Sequence, residues 1–162
     1  MAANTTFVSG AILTAAQMNA LPWGIVDATA GGTSGRGFKN SSAGNFSLTS
    51  TLTDVTGMTV TFTPVTGRIY RATFSARAVN GNVAAQTVVT KITDGSNVVK
   101  NSTETFISGS NNAIVYISAI LTGLSGSTTL KVRANVGSTT GLFINDADQF
   151  FNFTVEDIGP SA

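Results

Sequence analysis

From Phe46 to Glu156 the side chains change character at almost every second residue, and this period constrains the fold more than any other property of the chain. Met58, Val60, Phe62 and Pro64 point one way while Thr59, Thr61 and Thr63 point the other, as in a half-buried strand with a threonine face. Tyr70, Ala72, Phe74, Ala76 and Ala78 share a face opposite Arg71, Thr73, Ser75 and Arg77, and Thr66-Gly67 supplies the turn between these two runs. Val83 to Thr93 continues the pattern and stops at Asp94-Gly95-Ser96-Asn97, ahead of Val98-Val99-Lys100, which reads as a hairpin. Leu130, Val132, Ala134 and Val136 alternate with Lys131, Arg133 and Asn135, and Phe151, Phe153 and Val155 alternate with Asn152, Thr154 and Glu156. Roughly eight to nine short strands at this spacing, broken by Gly, Ser and Asn turns, predict an all-β, antiparallel, two-sheet β-sandwich of jelly-roll type. No repeat of 20–50 residues suggests a propeller or solenoid.

One run departs from the rule. Between Asn112 and Leu121, Ile114, Tyr116 and Ile120 occupy one face and Val115, Ile117, Ala119 and Leu121 the other, so both faces are apolar. An inner strand of a sandwich buries only its inward face, which leaves the second to a partner subunit, to the N-terminal segment or to another part of the same chain. We assign Val115, Ile117, Ala119 and Leu121 to an interface between copies.

Ahead of the strands stands a single short helix signal. Thr14-Ala15-Ala16-Gln17 is a capping box, followed by Met18-Asn19-Ala20-Leu21 and closed by Pro22. A helix of about two turns is marginal alone in water, so Leu13, Met18, Leu21 and Trp23 need another surface to pack on. We read residues 1–27 as a docking arm, with a lid folded back on its own domain as the alternative. Residues 28–44, with four glycines between Gly31 and Gly37, read as a linker, and residues 45–162 as the sandwich domain.

Composition narrows the function classes. The chain has 162 residues, of which only 10% are charged against a usual ~25%, and a formal charge of +1 from nine basic and eight acidic residues. The basic residues are scattered, so no face carries the several cationic contacts that a phosphate backbone demands, and nucleic acid is not an expected partner. Weak net charge favours association. No run approaches the ~20 apolar residues of a bilayer span, and no basic n-region marks a leader, so neither membrane insertion nor a secretory route is expected.

With no His and no Cys, the usual proton shuttle and the usual metal ligands are both missing, and only carboxylate chemistry remains. A glycosidase needs two carboxylates facing each other. Asp146 and Asp148 sit in a turn-like stretch, and Glu156-Asp157 ends the last strand, so turn and strand-end roles are the plainer reading. A Ca²⁺ site at Asp146 and Asp148 is the weaker alternative to an ordinary turn. Gly31 to Gly37 lacks the Gly-Lys-Ser/Thr ending of a phosphate loop, since Phe38 follows. The expectation is a protein without catalytic residues, cofactor or metal. Tyr70 and Tyr116 lie on faces that read as core, so neither is expected to stack on a sugar, whereas Trp23 belongs at an interface.

These blocks resemble those of a family of small structural proteins of tailed bacteriophages, the minor tail and capsid decoration proteins. The resemblance rests on Leu13-Thr14-Ala15-Ala16-Gln17-Met18-Asn19 with Leu21-Pro22 and Gly24-Ile25-Val26. It continues through Val60-Thr61-Phe62, Gly67-Arg68-Ile69-Tyr70-Arg71 and Ile92-Thr93-Asp94-Gly95, and ends in Phe153-Thr154-Val155-Glu156-Asp157-Ile158-Gly159. It implies a jelly-roll module on the virion surface, made in the host cytoplasm, tethered by its N-terminal segment to tail or capsid proteins. It also implies self-assembly, often as a homotrimer, and no enzymatic activity. A second function consistent with the neutral loops is a carbohydrate-binding module that contacts host-surface glycans near Asn80-Gly81-Asn82 and Gly109 to Asn112.

Overall fold

The computed structural model describes residues 24–25, 38–40, 44–80, 84–109, 111–137, 141–144 and 151–160, and these form strands and turns only. Among the described residues eleven strands occur, in the order β1 (Gly24–Ile25), β2 (Phe38–Asn40), β3 (Phe46–Leu48), β4 (Thr53–Phe62), β5 (Arg68–Asn80) and β6 (Gln86–Asp94). They continue as β7 (Val99–Ile107), β8 (Asn112–Leu121), β9 (Thr128–Val136), β10 (Gly141–Phe143) and β11 (Asn152–Pro160). All pairings are antiparallel and fall into two sheets, as the alternation predicts.

The first sheet is organised around β5, the longest strand. Along one side β5 pairs with β8 from Tyr70↔Leu121 to Val79↔Asn112. Along the other it pairs with β11 through its first half and with β10 through its last three residues. Strand β10 passes the sheet on to β3, while β11 carries β1 and β2, two short strands from the stretches read as arm and linker. The helix expected over residues 14–21 lies outside the described residues. The second sheet has the order β4-β9-β6-β7.

The connections explain how one pattern becomes two layers. Strands β6 and β7 form the expected hairpin, closed by Asp94, whose Oδ1 accepts from the backbone N–H groups of Ser96 and Val98 at 2.9 Å. The turn at Gly67 has φ +74 and joins β4 to β5, but these strands belong to different sheets, so it carries the chain across the sandwich. Strand β4 itself is kinked between Asp54 and Thr59, where Gly57 at φ +78 takes up the extra residues and lets both Val55 and Met58 turn inward.

Inward-facing residues from both sheets form one continuous core. Large and small side chains interleave along β5, where Tyr70 and Phe74 are separated by Ala72 and followed by Ala76 and Ala78. Phe74, Phe143 and Phe151 meet in tilted pairs with centroids 5.5–6.4 Å apart. The Tyr70 hydroxyl, buried beside Phe62, accepts a 2.7 Å hydrogen bond from Val65 N, so its polar end is satisfied.

Candidate interaction surface

Among the described residues β8 is an edge strand of the first sheet, and its register with β5 decides which of its two apolar faces is covered. Ala119 pairs with Ala72, Ile117 with Phe74 and Val115 with Ala76, all inward positions. Val115, Ile117, Ala119 and Leu121 are therefore buried in the chain's own core, which corrects their assignment to an interface between copies. The physical reason is parity. When both faces of a strand are apolar, nothing in its own residues says which one the sheet turns inward. Ile114, Tyr116 and Ile120 take the outward face and stand 71%, 60% and 61% exposed. Tyr116 is thus a surface residue and not part of the core.

Between Arg71 and Arg77 the neighbouring outward positions of that face are polar, and Ile69 and Val79 stand outward at the two ends of β5. Tyr116 stands in one row with Ser75 and Asn152, Ser118 with Thr73 and Thr154, and Ile120 with Arg71 and Glu156. Within the rows, Ser75 Oγ donates to Asn152 Oδ1 at 3.2 Å, Thr73 and Ser118 hydroxyls lie 3.3 Å apart, and Arg71 pairs with Glu156. At the corner of the sandwich Asn101 on β7 donates from Nδ2 to Ser118 O at 2.6 Å, covering part of the β8 edge. On the outer face of the second sheet Phe106 is also exposed, beside Thr87. Sequence reading passed over it, although its alternation with Ile107 was visible.

Among the described acidic residues, Asp54, Asp94, Glu156 and Asp157 are held in ion pairs. Arg68 grips Asp157 through Nε and Nη2 at 2.6–3.0 Å, and Gly159 N donates to the same carboxylate where β11 bulges. Glu156, the neighbour of Asp157, is taken by Arg71 on the outer face, so these two carboxylates do not oppose each other. Asp54 lies 2.9 Å from both Lys131 Nζ and Arg133 Nε. Lys100 contacts Asp94 at 3.0 Å, and this bond, followed by the one from Val98, holds the Asp94 carboxyl below the ordinary carboxylate range while desolvation acts the other way. Among the described residues no three His, Cys, Asp or Glu side chains gather as a metal site. An open depression of about 310 Å³ at the hairpin end is lined by Asp94, Gly95, Ser96, Ser127, Thr128 and Thr129.

Of the loops offered to glycans, Asn80 is buried and spends its side chain internally: Nδ2 donates to Ala84 O at 2.8 Å and Oδ1 accepts from Gln86 Nε2. Asn111 closes its own turn onto Ser108. Leu13, Met18, Leu21 and Trp23 of the docking arm, the glycine run at 31–37, and Asp146 and Asp148 lie outside the described residues.

No family model matches this chain, and no curated protein does. What distinguishes the described surface chemically is the apolar row on β8, flanked by hydroxyl and amide groups.

Proposed function

We propose that the protein is a non-enzymatic structural component of a tailed-bacteriophage virion. In this reading it is a surface accessory protein of tail or capsid, docked through its N-terminal arm and self-associating through its sandwich. What carries the reading is the ordered series of blocks that resemble those of that family. Two of them are neighbours in space. Gly67-Arg68-Ile69-Tyr70-Arg71 leads into β5, Phe153 to Gly159 lies on β11, and the pairs Arg68–Asp157 and Arg71–Glu156 join one block to the other. Supporting it are a surface poor in charge, which favours association, and an exposed apolar row on a well-packed sheet. Binding of host-surface glycans has weaker support, because Asn80 and Asn111 are used inside the fold.

The test is particle incorporation of the full chain with Leu13, Met18, Leu21 and Trp23 all changed to Ser, followed by mass spectrometry and immunogold labelling of purified particles. The expected result is a folded protein missing from the particles. A variant that joins them as well as the unaltered chain would overturn the docking role.

A further inference from the structure

We propose that the outward row of β8, Ile114, Tyr116 and Ile120, is the surface that binds a second copy of this chain, sheet face against sheet face. This locates the self-association named above and rests on that part of the reading alone.

The row is not a scatter of single exposures. Its three large side chains occupy alternate positions on one face of one strand, interrupted only by Ser118, and at about 3.3 Å per residue they extend over roughly 20 Å. Beside the row, the outward positions are Arg71, Thr73, Ser75 and Arg77 on β5 and Asn152, Thr154 and Glu156 on β11, all polar, with Ile69 and Val79 turned outward at the two ends of β5. At the observed exposure the three side chains present roughly 300–400 Å², about half of the ~800 Å² that each partner contributes to a standard interface. The hydroxyl and amide rows beside them, on the same flat face, supply the remainder.

The chemistry of the face selects the partner. Arg71 is neutralised by Glu156, the rows of Tyr116 and Ser118 carry no charge, and Arg77 beside Ile114 is the further charge among these positions, too little for a strongly acidic or basic partner to find a complementary field here. Ser, Thr and Asn side chains both donate and accept, so they match a second set of the same groups. Thr61 with Thr129 and Thr73 with Ser118 already pair this way between strands of one molecule. A formal charge of +1 leaves little repulsion between copies. The contact is face to face and not edge to edge, because Asn101 occupies the Ser118 carbonyl at the middle of the β8 edge. Two sheets can stack at about 10 Å with their strands nearly aligned, which lays one apolar row along the other.

Light scattering with sedimentation on the full chain tests this directly, comparing the unaltered protein with the triple variant Ile114→Ser, Tyr116→Ser, Ile120→Ser. The expected result is an oligomer for the first and a monomer for the second, with unchanged circular dichroism, while Phe106→Ser on the other sheet leaves the mass unchanged. Because the chain has no Cys, Ser118→Cys gives a second readout on an otherwise intact face. Under mild oxidation it is expected to yield a covalent dimer, and Thr61→Cys on the opposite sheet is not. An oligomer that survives the triple substitution and gives no Ser118→Cys dimer would overturn this surface and leave self-association standing. A monomeric unaltered chain would overturn both, leaving the row to a partner of another kind.

Discussion

At the scale of single residues, ion pairs stitch together parts of the chain that are far apart in sequence. Arg68 and Asp157 are 89 residues apart and mostly buried at the end of the sandwich, where the fork of the guanidinium holds β11 beside β5 just before its bulge. Removing the acidic partner leaves a poorly solvated cation, so Asp157→Asn is expected to destabilise the fold by about 2–3 kcal/mol in urea denaturation. Asp94 behaves differently because its role is local and it remains partly exposed. Its folded pKa lies below its unfolded one, chiefly through Lys100, so the stability it contributes is fully present above the ordinary carboxylate pKa. That contribution fades as pH falls through about 4 and below. The stability difference between the unaltered chain and Asp94→Asn is accordingly expected to be largest near neutral pH and to shrink in acid, as read from a denaturation series across that range.

At the scale of elements, β8 is the instructive strand. Its residues are apolar on both faces, so its existence and limits were legible in the sequence, but its orientation was not. The register with Ala72, Phe74 and Ala76 turns Val115, Ile117 and Ala119 inward, and a shift of one residue would have exchanged the two faces. The consequence is measurable on two neighbouring isoleucines. Ile117→Ala is expected to cost about 2–5 kcal/mol, the range for emptying a core position. Ile120→Ser is expected to change the stability of the monomer by no more than about 0.5 kcal/mol, as for an exposed site. Equal costs in urea titrations of the two variants would contradict the register. The β6–β7 hairpin was readable for the opposite reason. Its turn residues act on backbone groups two and four residues away, so the signal is contained in the segment itself.

At the molecular scale, across the described residues, two sheets share one apolar interior while Thr, Ser and Asn make up about half of the exposed positions. Such a surface has few charges for dissolved ions to screen. If copies associate through the β8 face, their affinity is expected to change less than about tenfold between low and high salt, in contrast to partners brought together by opposite charge. Sedimentation across a salt series checks this, and a steep loss of association with salt would point to the Lys131, Arg133 and Asp54 cluster on the other sheet instead.

Periodicity and turn chemistry were enough to establish that this chain makes short antiparallel strands in a sandwich, because both depend on residues within one strand or one turn. They read Glu156 and Asp157 as the end of the last strand, whereas β11 runs on past a bulge to Pro160, because pairing with Ile69 and Arg68 extends it. Three-dimensional pairing alone decided which sheet each strand joins, that the Gly67 turn crosses between layers, and that Arg68 and Arg71 take those two acids. It also decided that Tyr116 faces outward while Ile117 faces the core, since a side chain's burial depends on what lies opposite it, and that neighbour can be many tens of residues away.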